Sequence, residues 1–278
     1  MFVSDIHAYH KIITDSYDER SKTYNNSEWH RTLAKQLVDY APPAKHGKVL
    51  DIGTGTGAVA FHAASMVGVE GEVIGVDISE GMIAKAKELL KGSAFRNIEF
   101  TLADGENLGF SHNRFDRIYC ASAFFWMSDK VGALTHWRER LKPGGMVGFH
   151  AWPENTYVWG YVARHVLKKY GVEYLAHAPY GSVEICTQLL EQAGYENIDI
   201  KVVESGHYIP LEDALNGWIS EKDYPIGQYP HPASITPPEI LEQARKDYEA
   251  EIMRLNTDKG VWNDTTIYYV FGQNPEDT

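Results

Sequence analysis

Apolar positions change period along this chain. Ile6 to Leu37 repeats as helix in two pieces broken near Asn25-Asn26-Ser27, with Ser27 as a plausible N-cap. In the second piece Trp29, Leu33, Leu37 and Tyr40 recur at helical spacing and should face a core. From Gly47 short apolar runs alternate with helical ones. The strand candidates are Val49–Gly53, Glu72–Ile78, Ile98–Ala103, Asp116–Ala121 and Met146–Trp152, the last entered through a turn at Pro143-Gly144-Gly145. Between them lie helix candidates Ala58–Met66, Ser79–Leu90 and Lys130–Arg140. This alternation predicts right-handed βαβ units and a parallel sheet covered on both faces. After Trp152 it stops. Tyr157–Lys169, Val183–Ala193, Ala214–Ser220 and Pro237–Asn256 are helical in pattern, Ile198–Glu204 and Thr265–Phe271 extended, and 224–232 is a proline-rich loop.

One stretch carries chemistry. The strand ending at Asp51 runs into Ile52-Gly53-Thr54-Gly55-Thr56-Gly57 and then a helix. Glycines there let a ligand approach bare backbone at a helix N-terminus. The spacing is GxGxG with Ala58 following, not the GxGxxG of nicotinamide sites, and the Gly-Lys-Ser/Thr ending of a phosphate loop is missing. Asp51 before the turn disfavours a pyrophosphate and suits a ligand ammonium whose carboxylate takes backbone N–H groups. Asp77, twenty residues after Gly57, ends the second strand and can accept two ribose hydroxyls. Asp104 ends the third, where an acceptor can take an adenine amino group with the N–H of Gly105 or Glu106 helping. Amino acid, ribose and adenine together make S-adenosylmethionine. A purely local role for each acid, as an N-cap or in an Asp-Gly turn, stands beside this one.

With Gly75–Ser79, Ala103–Phe110, Phe115–Ala123, Leu141–Met146 and Leu189–Ile198 in order, the sequence resembles the class I S-adenosylmethionine-dependent methyltransferases, and among them the small-molecule group of the ubiquinone/menaquinone-biosynthesis type. The resemblance implies an α/β, Rossmann-like, doubly wound sheet of seven strands, mostly parallel with the last antiparallel. It also implies an N-terminal helical lid (1–46), a cofactor-binding core (47–152), and a 153–278 segment that completes the sheet and carries helical acceptor-binding insertions, all in one structural domain. The cofactor set it implies is Asp51, Gly53, Thr54, Gly55, Gly57, Asp77, Ile78, Met82, Asp104, Gly105, Glu106 and Ala121. Met82 and Ile83 either flank adenine or serve the core. Phe125 or Trp126 either walls the site or is simply buried. Tyr17, Tyr24, Trp29 and His30 lie in the lid, with Tyr24 the preferred contact. Candidates for the catalytic residues are Tyr24, His30 and His150, with His207 also weighed as a base.

Composition narrows the partners. The chain has 278 residues, 44% hydrophobic and 23% charged, enough for a core without staples. A formal net charge of −12 without a Lys/Arg run speaks against nucleic acid. The expected partner is a small-molecule acceptor, apolar or planar given Trp218, Tyr224, Tyr229 and Tyr248 in the insertion, although the same aromatics suit an insertion core. Cys120 and Cys186 show no CxxC spacing, so neither a zinc site nor a disulfide is expected, and a metal is not expected elsewhere. No signal peptide and no membrane span are expected, which places the chain in the cytoplasm as a monomer or homodimer. The acids at 18–19 and 248–251 are expected on solvated helix faces. A non-methylating S-adenosylmethionine-binding protein of the same fold is the alternative.

Overall fold

Strand β1 (Lys48–Ile52) lies at the centre of the fold because Val49, Leu50 and Ile52 are wholly buried, as a strand covered on both faces must be. The structure, a computed structural model, describes residues 3–24, 27–175, 181–219 and 227–276. Around β1 the chain forms α3 (Ala58–Val67), β2 (Glu72–Asp77), α4 (Glu80–Lys91), β3 (Ile98–Leu102), β4 (Phe115–Cys120), α5 (Lys130–Arg140) and β5 (Leu141–Ala151). Later come β6 (Glu196–Val203) and β9 (Ile267–Gln273). The seven strands run in the order β3-β2-β1-β4-β5-β9-β6, mostly parallel with one antiparallel strand. β1 pairs in parallel with β2 on one side and β4 on the other. The chain order therefore reverses at β1/β4, and the carboxyl ends of these two strands flank the crevice where open α/β sheets bind ligands.

By the packing of its backbone the chain divides into two compact units. One consists of His10–Ala151, Cys186–Lys201 and Tyr269–Thr278. It contains β1 to β5 and most of β6 and β9, α1 (Ile6–Arg20) from His10 onward, and α2 (Glu28–Tyr40). From His10 onward the N-terminal helices cluster with the sheet. Ser27 caps α2 as expected, its side chain accepting from the His30 N–H. The buried stripe of α2 is Leu33, Ala34, Leu37 and Val38. Trp29 and Tyr40 remain 43% and 38% exposed, contrary to expectation. At ~100° per residue they fall roughly 90–110° from the centre of that stripe.

β5 begins at Leu141, five residues earlier than the expected Met146. Phe115 pairs with Leu141 and Arg117 with Met146, so Pro143-Gly144-Gly145 forms an irregularity inside the strand, not a turn before it.

The other unit consists of Met1–Tyr9, Trp152–Ile185 and Val202–Tyr268. Here α6 (Val158–Lys169), a short α8 (Leu211–Asn216), α9 (Pro232–Ile235) and α10 (Pro238–Leu255) are accompanied by an antiparallel pair, β7 (Gly206–Ile209) and β8 (Val261–Asp264). The remaining helix, α7 (Val183–Gln192), runs from the end of this unit into the first. Val162, Val166, Leu167, Ala244, Tyr248, Ile252 and Val261 share one core. Trp218 packs on Tyr248 at 5.1 Å, and the Tyr248 hydroxyl donates to the Ala214 carbonyl at 2.6 Å. Of the aromatics expected in the insertion, these two thus pack in its own core, while Tyr224 lies outside the described residues.

Candidate active site

The turn after β1 is built on backbone that only glycine adopts cheaply. Gly53, Gly55 and Gly57 have φ of +65°, +54° and +96°. Space is equally restrictive. A Cβ on Gly53 would stand 2.4 Å from the Ala123 Cβ in the segment after β4, and one on Gly57 2.7 Å from the Phe100 ring. Beneath the turn Asp51 is 1% exposed. One of its oxygens accepts from the Thr54 hydroxyl at 2.5 Å and from the Ala60 N–H at 3.2 Å. Asp51 thereby satisfies an open N–H in the first turn of α3, whose N-cap Gly57 has no side chain to do so. Burial outweighs these hydrogen bonds and pushes its carboxyl up to about 7.

Asp77 braces the turn from the end of β2. Its carboxylate accepts from the Gly55 N–H at 2.8 Å and the Ser79 N–H at 2.9 Å. Burial raises its pKa against those bonds. A carboxylate has roughly four lone-pair sites, so capacity remains for a ligand diol. Next to it, Ser79 caps α4 by accepting from Met82 N–H at 3.0 Å. The Ser79 hydroxyl donates to Asp18 of α1 at 2.5 Å, and the Gly81 N–H donates to the same Asp18 oxygen at 2.9 Å. Asp18 is therefore a second acceptor at the start of α4, not a residue on a solvated face. A Cβ on Gly81 would come within 3.0 Å of the Asp18 Cα.

After β3, Asp104 accepts from the Glu106 N–H at 2.9 Å, closing the loop on itself. Glu106 accepts from Ser128 N–H (2.9 Å), Ser128 hydroxyl (3.0 Å) and Asp129 N–H (2.8 Å), tying this loop to the start of α5. His10 on α1 lies 3.8 Å from each of the two carboxylates. The Glu106 carboxylate, with Asp104 adding to it, raises the His10 pKa above its usual value despite burial. His10, Asp104 and Glu106 offer three donor groups within 4.8 Å of one another. Glu106 already accepts three hydrogen bonds, and the group is an ion-pair cluster.

Aromatic side chains close the remaining side. Trp126 Nε1 donates to the Tyr17 hydroxyl at 3.0 Å with the rings edge-on. Tyr24 lies 6.3 Å from Tyr17, and the Arg20 guanidinium sits over both rings. Lys130 Nζ donates to the carbonyls of Phe125 and Met127 and so holds the turn that carries Trp126. Together these elements enclose a cleft of about 690 Å³, open to solvent.

A methyltransferase-domain family model matches residues 49–145. Aklanonic acid methyltransferase DauC of Streptomyces sp. (strain C5) is 36% identical over 144 residues, 51% of this chain and 66% of that protein. The ubiquinone/menaquinone biosynthesis C-methyltransferase UbiE of Idiomarina loihiensis is 29% identical over 194 residues, 64% of this chain and 77% of that protein. With other relatives of that name the match spans less than half of their length. In fold, the chain is similar to YcgJ of Bacillus subtilis, with a TM-score of 0.60 at 19% identity over 88% of this chain and 99% of that one. It is also similar to phosphoethanolamine N-methyltransferase 2 of Haemonchus contortus in complex with S-adenosylhomocysteine, with a TM-score of 0.54 at 19% identity over 89% of this chain and 53% of that one. Residues 49–145 thus carry a methyltransferase domain, and the chain is similar to S-adenosylmethionine-dependent methyltransferases.

The cleft brings together Tyr24, Gly53, Gly55, Asp77, Ile78, Asp104, Gly105, Glu106 and Ala121 from the expected set. Trp126 also lines it, and Phe125 does not. Four expected cofactor contacts lie behind the lining instead. Asp51 turns inward to Thr54 and α3, and Thr54 spends its hydroxyl on Asp51. Gly57 packs against Phe100 and Phe61. Met82 is wholly buried on the core face of α4 beside Ile83 and Ala86.

The expected bases are also placed elsewhere. His150 is 1% exposed, and its Nδ1 lies 3.1 Å from both the N–H and the hydroxyl of Ser122. Burial drops its pKa to about 3. His30 Nδ1 lies 2.6 Å from the Ser27 hydroxyl, and burial, then the Arg20 charge, lowers its pKa to about 4. Neither lines the cleft, and His207 is exposed on β7. Tyr24 does line it, but burial raises its phenol far above the usual range, so it is a protonated hydroxyl at neutral pH.

His10, Ile13, Ser122 and Met127 are among the lining residues beyond the expected set, and Tyr17, expected in the lid, lines the cleft as well. His10, Ile13 and Tyr17 stand at i, i+3 and i+7 on α1, a spacing that marks one helix face. Ser122 leaves no such trace: its φ of +54° is a left-handed conformation imposed by the packing after β4.

Proposed function

We propose that this methyltransferase transfers the methyl group of S-adenosylmethionine to an O, N or C atom of a small-molecule acceptor by in-line displacement. The observation that carries the reading is the cleft at the β1/β4 switch point, where a glycine turn, a ribose-type acid and an adenine-type acid converge. Backbone at Gly53 and Gly55 receives the amino-acid end, and Asp77 accepts the ribose hydroxyls. Asp104, Gly105 and Glu106 meet the adenine edge, with Ile78 and Met127 against its faces. S-adenosylmethionine, when bound, supplies an electrophilic methyl on a sulfonium. An acceptor atom held opposite that methyl would supply the electron pair of the new bond, the carbon–sulfur pair would remain on sulfur, and any proton on the acceptor would pass to water at the open side of the cleft. Tyr17, Tyr24 and Trp126 wall one side of the cleft, and their rings favour a cation.

Positioning carries the rate enhancement in this reading. His30 and His150 are poor proton acceptors near neutral pH and lie off the cleft, which leaves His10 as the histidine on its wall, already engaged with Glu106 and Asp104. Acceptors that need no strong base, such as acidic phenols, carboxylates and neutral amines, suit this arrangement. The net charge of −12 argues for a small acceptor over nucleic acid. No helix among the described residues is long and apolar enough to cross a membrane. A cytoplasmic setting, as a monomer or homodimer, fits two buried free cysteines. The test is methyl transfer from labelled S-adenosylmethionine to a panel of phenols, aromatic acids, quinols and amines, read as labelled product and S-adenosylhomocysteine. Tight cofactor binding with no transfer to any extract or panel member refutes methyl transfer and favours the non-methylating role. Failure to bind the cofactor refutes the site.

A further inference from the structure

Arg164 lies on α6 in the unit that lacks the glycine turn, on a helix whose Val162, Ala163, Val166 and Leu167 are buried. Arg164 itself is only 9% exposed. Its Nη2 donates to the Glu154 backbone carbonyl. Its Nε and Nη1 are buried and have no hydrogen-bond partner. Among the described residues it forms no ion pair within 4.0 Å. Leaving donors of a charged, buried group unmet is costly, and proteins do so where something else completes the set. Arg164 lines a cavity of about 830 Å³, open to solvent. The same helix adds His165 and Lys168 to its wall, both exposed, and Tyr174 borders it. Glu154 and Glu173 also line it. Arg164 and Lys168, with a histidine and two carboxylates, form a site in which the buried, unmet guanidinium donors favour an added negative group over a third cation.

We propose that this cavity binds an oxyanion, a carboxylate or a phosphate, with Arg164 as its principal ligand and Lys168 as a peripheral one. A planar guanidinium suits such a group because it offers several N–H donors in a fixed plane. The inference is independent of the methyl-transfer reading, since it concerns residues that take no part in the glycine-turn cleft.

The experiment is titration of the full chain with sodium phosphate and, separately, sodium benzoate at constant ionic strength, with chloride as the balancing control, read by calorimetry and thermal shift. Saturable binding of either anion is expected, with phosphate alone or benzoate alone identifying the ligand class. In Arg164→Met the affinity should fall at least ~10-fold, while Lys168→Met weakens it only ~2–5-fold, as expected for a buried charged donor against an exposed one. Arg164→Lys keeps charge and bulk but loses the planar fork, so it decides the question if Arg164→Met does not fold, and it should also bind weakly. S-adenosylmethionine affinity should stay within ~2-fold in each variant, since neither Arg164 nor Lys168 lines the glycine-turn cleft. Absence of saturation by both anions, or wild-type affinity in the folded Arg164 variants, overturns the proposal and leaves a solvated structural arginine.

Discussion

Asp18 connects α1 to the site and makes the connection measurable. One carboxylate oxygen receives the Ser79 hydroxyl at 2.5 Å and the Gly81 N–H at 2.9 Å. The same helix carries His10, Ile13 and Tyr17 into the cleft. Replacing Asp18 by Ala removes two hydrogen bonds to a charged acceptor, worth ~1.5–3 kcal/mol each when buried. It also removes a negative group from the N-terminus of α4, worth ~0.3–1 kcal/mol. Partial exposure and water replacing the lost acceptor reduce the net to ~1–2 kcal/mol. If α1 must be docked for the cofactor to bind, that loss appears in the dissociation constant as a weakening of ~5–30-fold. Asp18→Asn keeps an oxygen acceptor without the charge and should lose about half as much free energy.

The assay is calorimetric titration of S-adenosylmethionine and S-adenosylhomocysteine into the wild type and both variants, with amide exchange across α1. Exchange should rise in α1 before it rises in β1. A variant whose affinity stays within ~2-fold while its melting temperature falls would refute the coupling and leave Asp18 a purely structural cap, because only binding free energies report the link.

Asp77→Ala should weaken cofactor binding ~10–100-fold through the lost diol acceptor and the released Gly55 N–H, measured by the same titration; unchanged affinity would misplace the ribose. Gly53→Ala forces a side chain into φ of +65° and against Ala123, and should cost ~2 kcal/mol or more, read as a drop in urea midpoint without change of slope. Acid should destabilise the fold through His150 and His30. Burial holds their folded pKa values at about 3 and about 4, below the ordinary histidine value of 6.5. The unfolded chain therefore binds more protons below pH 6.5, and stability present above that pH is lost as pH falls, by up to ~1.4 kcal/mol per unit per group. His150→Asn should reduce that slope by up to one proton in urea melts between pH 7 and pH 5. His10 works with the opposite sign. Its raised pKa stabilises the fold below pH 6.5, and that contribution is lost as pH rises through the folded value, so His10→Asn should flatten the alkaline side of the same profile.

Much of the site was legible because the relevant constraints are local. Glycines at 53, 55 and 57 announce left-handed backbone after a strand, and Asp77 and Asp104 end strands in runs a few residues long. Asp51 was visible but its direction was not. Whether a carboxylate at the end of a strand meets a ligand or the first turn of the next helix depends on side-chain rotation beneath the turn. Met82 illustrates the same limit on a helix, where one step of about 100° separates a lining residue from a core residue. Asp18, His10 and Ser122 were illegible for another reason. Their roles rest on partners 61 to 63, 94 to 96 and 28 residues away in the chain.

By itself the sequence determined the alternation of strands and helices, the glycine turn and the acids that follow it, because backbone dihedrals and hydrophobic period act over a few residues. Only the tertiary structure decided which side chains face the cleft, that α1 is tied to α4 through Asp18, that His150 is buried and neutral, and that β7 meets β8. Those outcomes depend on contacts between segments distant in the chain, and burial and pairing energies exist only once the segments have come together.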